Sequence, residues 1–245
     1  YDRVATLTGR PADPDILIVA IDDASIDTLG RWPWRRAIHA ALLDRLQGAR
    51  AVGLDLIFAE SDTVNPNDDR ILADSIRRNG HTVLPIVLDR LANPSAIAAP
   101  IPILAQAAAS SGFINARVDS DGVVREATPA TDFSGERRFH LALSMLTVGG
   151  QPDKAQQLLQ RAGPDGNILI PYAGSTAHMR TVSYLSVLRG DVPAEALRGK
   201  YVLVGAWATG LGDAYPTPVS HDLSGMSGVE IIANLLQAAR DDVSY

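Results

Sequence analysis

The chain has 245 residues, 46% hydrophobic and 20% charged, with no cysteine. That apolar content excludes intrinsic disorder, and the lack of any short period excludes collagen-like and low-complexity classes. Lys and Arg number 22 against 28 Asp and Glu, giving a formal charge of −6, and no basic stripe is visible, so nucleic-acid binding by counterion release is not expected.

Asp15-Ile-Leu-Ile-Val-Ala-Ile21 is a continuous apolar, β-branched run, the pattern of a strand buried on both faces. Asp22-Asp23 end it, and a helical turn from Ser25 to Leu29 stops at Gly30. A helix is predicted from about Pro33 to Gln47, with Ile38, Leu42 and Leu46 on one stripe. Ala51-Val-Gly-Leu-Asp-Leu-Ile-Phe58 reads as a second strand, Asp68 to Asn79 as a helix, and Thr82-Val-Leu-Pro-Ile-Val-Leu88 as a third strand. Pro85 lacks a ladder donor, which predicts an edge position or a bulge. Three strand–helix units in succession predict an α/β fold with right-handed crossovers.

The middle changes style. Ile103 to Ser110 reads as an Ala-rich helix. Gly112 to Val118 and Val123 to Ala127 read as two strands joined at Asp119-Ser-Asp121-Gly122, an antiparallel hairpin. Helices follow at about His140–Val148 and Pro152–Arg161, then a turn at Pro164-Asp-Gly-Asn167. The last third has short helices at Tyr184–Leu188 and Ala194–Leu197, a buried strand at Lys200–Ala206, and a Gly/Pro-rich loop from Gly210 to Ser224. A final helix from Gly228 to Arg240 turns Val229, Ile232, Ala233 and Leu236 inward. No linker divides residues 1–245, so the expectation is one domain: a mixed, mostly parallel central sheet flanked by helices, with an antiparallel hairpin excursion.

Familiar catalytic motifs fail one by one. Without cysteine there is no thiol catalysis, Cys-ligated zinc or iron–sulfur cluster. The five histidines are scattered, with no H-E-x-x-H pairing. Gly205-Ala-Trp-Ala-Thr-Gly210 has phosphate-loop spacing, but Leu211 stands where that loop needs Lys. Gly225-Met-Ser227-Gly228-Val229 breaks the nucleophile-elbow pattern at its fifth position. Ser227-Gly-Val-Glu230 reads instead as a capping box at the head of the last helix. Asp119-Ser-Asp121-Gly122 lacks the later ligands of a calcium loop and reads as a turn, with Arg125 near enough to pair with either Asp.

The carboxylates and tryptophans keep two readings each. Asp22, Asp23 and Asp213 follow predicted strands, and Asp55 lies inside an apolar one. Ligands of open α/β sheets favour the crevice at the strands' carboxyl ends. These four are therefore candidates for a cation or polar-ligand site, or Asp55 accepts from Arg35 or loop amides and holds the loops. Trp32 and Trp34 flank Pro33 as core packing, a ligand platform or a partner contact.

The ordered segments resemble one family, the second class of CHASE domains, the cyclase/histidine-kinase-associated sensory extracellular domains. The resemblance is carried by Ile18-Val-Ala-Ile-Asp22-Asp23, Gly30-Arg31-Trp32-Pro33-Trp34, Ala51-Val-Gly-Leu-Asp55-Leu-Ile-Phe58 and Asp68-Asp69. It continues through Gly112-Phe113, Asp119-Ser-Asp121-Gly122-Val123-Val-Arg125 and Val202-Leu-Val-Gly205. It ends with Asp213-Ala-Tyr-Pro216-Thr217-Pro218 and Gly228-Val-Glu230-Ile-Ile-Ala233-Asn234. It implies an extracytoplasmic sensor of a bacterial membrane receptor, between flanking transmembrane helices, controlling a cytoplasmic cyclase, kinase or diguanylate-cyclase-like output. No 18-residue apolar span is present, and the opening Tyr1 is what a fragment would show.

The partners this implies are a small-molecule or environmental signal, the rest of the same chain and, as an alternative organisation, a second copy in a homodimer. Neither a cofactor nor a catalytic set is implied. The ligand-facing candidates are Asp22, Asp23, Trp32, Trp34, Arg35, Asp55 and Asp213. The structural or signal-transmitting candidates are Asp119, Asp121, Arg125, Ser227, Glu230 and Asn234. The rival readings are a metal-assisted hydrolase using Asp22, Asp55 and Asp213, and a dimerisation or protein-interaction module with the Trp pair as its contact.

Overall fold

The computed structural model describes residues 10–89, 96–208, 210–211, 214–220 and 225–241. The first strand, β1 (Ile16–Ile21), is buried along its whole length. Its side chains alternate between two cores: Ile16, Ile18 and Ala20 enter one, Leu17, Val19 and Ile21 the other. A sheet covered on both faces explains why the run is continuously apolar rather than alternating.

After β1 come α1 (Asp23–Leu29), α2 (Arg36–Arg45), β2 (Ala51–Leu54), α3 (Pro66–Asn79) and β3 (Thr82–Asp89). Helix α3 has its punctuation in order. Pro66 is in the first turn with Asp68 and Asp69, Arg77 and Arg78 are in the last, and Gly80 closes it at φ 71°. Next are β4 (Ala96–Ala98), α4 (Pro102–Ala105), β5 (Ser110–Phe113), β6 (Glu126–Ala127), β7 (Ala130–Phe133) and β8 (Glu136–Phe139). Helices α5 (Leu141–Val148) and α6 (Pro152–Gln160), β9 (Ile168–Leu169), β10 (Thr181–Ser183), α7 (Tyr184–Arg189) and α8 (Ala194–Leu197) follow. The chain closes with β11 (Tyr201–Ala206), β12 (Ala214–Tyr215), β13 (Met226–Ser227) and α9 (Gly228–Arg240).

Among the described residues the main sheet has seven strands, ordered β10-β1-β11-β2-β3-β4, with β5 also on β3. All its pairs are parallel except β3–β4. Strand β11, from the last third of the chain, lies between β1 and β2 of the first. Helices α5, α6 and α9 bury one face of the sheet, and α2, α3, α4 and α7 the other. The backbone of α5 passes so close to β5 that a Cβ on Gly112 would lie 2.6 Å from the Leu141 Cα. This is the mixed, mostly parallel α/β architecture the sequence predicts.

Two local expectations are corrected. The segments flanking Asp119-Ser-Asp121-Gly122 do not form a hairpin. β5 pairs in parallel with β3, β6 pairs with β9, and the two flanks meet in a single antiparallel bridge, Arg117–Glu126. A two-stranded hairpin lies further on, β7–β8 around Ser134-Gly135. A glycine with positive φ closes the turn at both places, Gly122 and Gly135, but Gly112 and Phe113 gain more by extending a buried sheet. Pro85 is not on an edge. Thr82 and Ile86 direct their carbonyls toward the β5 side, accepting from Ala109 and Ile114, so Pro85 faces the other way. On that side β3 pairs with β2 only at Thr82 and Val83 and with β4 only from Val87. The missing donor falls in the gap between two partners.

Candidate functional site

The strands β2, β11 and β5 run in one direction, so their carboxyl ends open onto a common space. The chain leaves β2 at Asp55, whose backbone N–H donates to the Val204 carbonyl at 2.7 Å. It leaves β11 at Ala206 and β5 at Phe113. Gly228, Val229, Ile232 and Leu235 of α9 line this space, together with Trp32, Pro33 and Tyr215. The result is a cavity of about 410 Å³, within the size range of small-molecule sites. Two glycines set its depth. A Cβ on Gly205 would lie 2.7 Å from the Val229 Cβ, so the helix could not come down onto β11 with any other residue there. A Cβ on Gly228 would sit 3.9 Å from both the Asp55 Oδ2 and the Tyr215 Cε2, at ordinary van der Waals contact.

Polar groups in the wall are few. Arg117 pairs with Glu126 at 3.0 Å and with Asp165 at 3.3 Å. Asn115 is pinned to the backbone of Leu88, accepting from its N–H and donating to its carbonyl at 2.9 Å each. His140 caps α5 with its side chain: the Ala142 N–H donates to its Nδ1 at 3.2 Å. Burial pushes the His140 pKa down to about 4. The ring is thus neutral near pH 7, with its proton on Nε2 because Nδ1 is accepting.

A protein-family model, the CHASE2 domain, matches residues 1–244. The chain belongs to the CHASE2 domain family. No curated protein and no solved structure matches it. CHASE2 domains are extracellular sensory domains, and among the described residues no helix is long and apolar enough to cross a membrane.

In this CHASE2 domain the predicted site residues divide into several groups. Trp32 and Asp55 share the cavity wall. Asp55 lies one residue past β2 rather than inside a strand, which removes the cost expected of a carboxylate within a buried ladder. Asp22 is occupied as the N-cap of α1, accepting from the Ser25 N–H at 2.9 Å, from the Ser25 hydroxyl and from the Ser183 hydroxyl at 3.1 Å. Asp23 is exposed in the first turn of α1. Trp34 is buried, donates its indole N–H to the Gly30 carbonyl at 2.8 Å and packs 5.0 Å from the Tyr184 ring. Arg35 does not reach Asp55. It grips Asp68 with two bonds of 3.0 Å, which hold the Asp68 carboxyl below its usual range. Asp213 lies outside the described residues.

The Asp119/Asp121 turn is clamped by Arg125, at 2.9 Å to each carboxylate. The capping box is not formed. Ser227 occupies the N-cap of α9, but its hydroxyl makes no cap bond and has no partner among the described residues. Glu230 turns inward instead, fully buried, and its Oε2 accepts from the Ala177 N–H at 3.2 Å. Burial raises its pKa, outweighing the loop amides that favour its charge. Asn234, one turn on, accepts from the Ala173 N–H at 2.8 Å. Both side chains stitch α9 to the 173–179 loop, a role that needs them on the inward face.

Arg117, Glu126, His140 and Tyr215 belong to the cavity and are not among the sequence candidates. Each is a lone polar residue near the end of a different element. Only His140, directly before the apolar Leu141-Ala-Leu-Ser-Met-Leu146, carries a signal as the polar start of a buried helix.

Proposed function

We propose that this domain is the signal-input part of a bacterial transmembrane receptor, facing the extracytoplasmic side, and that the cavity at the sheet's carboxyl ends is where the signal binds. The domain has no catalysis of its own in this reading. A cytoplasmic cyclase, kinase or diguanylate-cyclase-like module supplies the output.

One observation carries the proposal: the helix that roofs the cavity is also fastened to the start of the described chain. At the far end of α9, Arg240 pairs with Asp13 at 2.6 Å and with Asp15 at 3.1 Å. Arg10 pairs with Asp241 at 2.6 Å, and Gln237 donates to the Pro11 carbonyl at 2.9 Å. An occupant of the cavity presses on the amino-terminal turns of α9, and a tilt of that helix must move or break this clasp. A difference of ~1–3 kcal/mol between two helix positions is enough to regulate an attached module.

The metal-assisted hydrolase finds less support. Asp22 already accepts three bonds at the head of α1. A dimer contact through the Trp pair would rest on Trp32 alone, since Trp34 is buried.

The test uses the receptor with its membrane segments and output module intact. Gly228→Leu, which extends a side chain into the cavity, should leave basal output near normal and abolish its response to stimulus. An unchanged response would remove the cavity from the mechanism.

A further inference from the structure

We propose that the loop over residues 173–179 is a proton-responsive strap: with the Glu230 carboxyl ionised it ties the amino-terminal half of α9 to Arg10, and protonation loosens it. The strap works whatever occupies the cavity.

It is bonded on two sides. Toward α9, the Ala177 N–H donates to the Glu230 Oε2 at 3.2 Å and the Ala173 N–H to the Asn234 Oδ1 at 2.8 Å. Toward the other end of the chain, the Arg10 N–H donates to the Ala173 carbonyl at 2.7 Å. The His178 Nε2 lies 3.0 Å from the Arg10 carbonyl. A carbonyl only accepts, so this Nε2 carries a proton whether the ring is charged or neutral. A Cβ on Gly174 would lie 2.6 Å from the His178 Cγ, so the loop closes under that ring only with glycine there.

Two features let the strap switch. Ala177 has φ 65°, in the left-handed region that is costly for a residue with a Cβ. Its N–H is the one bonded to Glu230, so the carboxylate holds a strained turn in place. Glu230 itself is fully buried, and its Oε1 has no hydrogen-bond partner among the described residues. Burial raises its pKa against the amides of residues 177–179, which favour the charge. The ionised carboxylate accepts charge-assisted bonds, roughly twice as strong as neutral ones. A proton taken from solvent onto Oε1 gives the neutral acid, weakens those bonds and lets Ala177 relax. The amino-terminal half of α9 then loses its tie to Arg10, while the Arg240–Asp13 pair still holds the other end.

The titratable groups around α9 are placed so that Glu230 sets the switch. The main elements packed on this helix are β1, β11, β13, α5 and α6, whose titratable groups are Tyr201, Asp153 and Lys154. Tyr201 stands beside Arg240, its ring 5.1 Å from the guanidinium, and α6 starts there too, Gln151 accepting from Arg240 at 2.8 Å. About 15 Å of helix separates Arg240 from Glu230. Asp55 and Tyr215 lie on the cavity side, against Gly228. His178 faces Glu230 from the loop, and a positive charge on it favours the ionised carboxyl.

The test is a pH titration of the domain by NMR between pH 4.5 and 9. The Glu230 carboxyl carbon gives its own midpoint, and the His178 ring carbons give that of the neighbour. The amides of Ala177, Met179 and Arg10 should each shift with the Glu230 midpoint. Glu230→Gln should remove that step at all three and leave the His178 step. Ala177→Gly, which relieves the strain and keeps the carboxyl, should at least halve the step at Arg10. In the intact receptor, unstimulated output should differ at least threefold across the Glu230 midpoint, and Glu230→Gln should abolish the difference. A Glu230 carboxyl that does not titrate in this window overturns the proposal. So does an Arg10 amide that follows only His178, a step that survives Glu230→Gln, or receptor output indifferent to pH. The wild-type titration decides even where a variant fails to fold.

Discussion

Histidine burial gives the domain a sensitivity to acid that its composition does not reveal. His39 accepts or shares a bond with the Tyr184 hydroxyl at 2.9 Å, and burial pushes its pKa from 6.5 down to about 4. His140 is shifted from 6.5 to about 4 by the same cause. A folded-state pKa below the unfolded value contributes stability that is present above pH 6.5 and lost as pH falls through 4. Each ring contributes on the order of 3 kcal/mol over that window. Urea denaturation at pH 7, 5.5 and 4 should show the loss. His140→Asn, whose side-chain oxygen can still accept from the Ala142 N–H, should remove about half of it.

Glu230 runs the other way. Its raised pKa contributes stability fully present below pH 4.5, lost as pH rises through the folded value. Glu230→Gln should therefore stabilise the domain at pH 7.5 and change little at pH 4. A difference that shrinks with rising pH would contradict the assigned direction.

At the scale of the element, α9 lies where it does because of what is missing beneath it. Gly205→Val would drive methyl groups into Val229 and Asp55, with the Cβ alone at 2.7 Å and 3.2 Å. It should cost ~1–3 kcal/mol as overpacking. Gly228→Ala meets nothing closer than 3.9 Å and should raise stability by up to about 1 kcal/mol, since alanine is the better helix former. The two midpoints in one urea series separate the cases. The helix caps divide likewise. Asp22→Ala removes bonds to Ser25 and Ser183 and should cost about 1–2 kcal/mol. Ser227→Ala removes a hydroxyl with no partner among the described residues and should be close to neutral.

For the molecule as a whole, the clasp between residues 10–15 and the end of α9 is its most consequential long-range feature. The Arg240–Asp13 pair is only 14% and 10% exposed, so solvent screens it little. Arg240→Gln should cost about 1.5–3 kcal/mol, the range for a hydrogen bond to a charged group. Its signature is local: hydrogen exchange should speed up at Asp13, Asp15 and the last turn of α9, and not at α2 or α3. Uniform acceleration would mean that the clasp is part of the global unfolding unit rather than a separable fastening.

Much of the molecule is legible from residues 16–89 alone. Strands β1, β2 and β3 and helix α3 follow from apolar runs and the Asn79-Gly80 exit, though the helix starts at Pro66 rather than Asp68, because burial on two faces and helix punctuation are local signals. The final helix is equally plain from Gly228 to Arg240. The sites are less so. The sequence offers Arg35 or loop amides to Asp55, whereas Arg35 pairs with Asp68, 33 positions away, and the Ser227–Glu230 spacing fits a capping box, whereas Glu230 turns to the Ala177 N–H instead.

The sequence by itself determined the elements, the two-faced sheet and the resemblance to the CHASE2 family, since periodicity, turn residues and ordered motifs are properties of neighbouring positions. Its charge speaks against nucleic-acid binding by counterion release, and its lack of cysteine excludes thiol catalysis and Cys-ligated metals. Only the tertiary structure decided which polar residues share a cavity. Asp55, Arg117, Glu126, His140 and Tyr215 are far apart in the chain and meet because β11 inserts between β1 and β2 and brings α9 across their carboxyl ends. A pairing between strands 150 residues apart in sequence has no local signal; it arises because burying the sheet on both faces stabilises more than any arrangement of its parts alone.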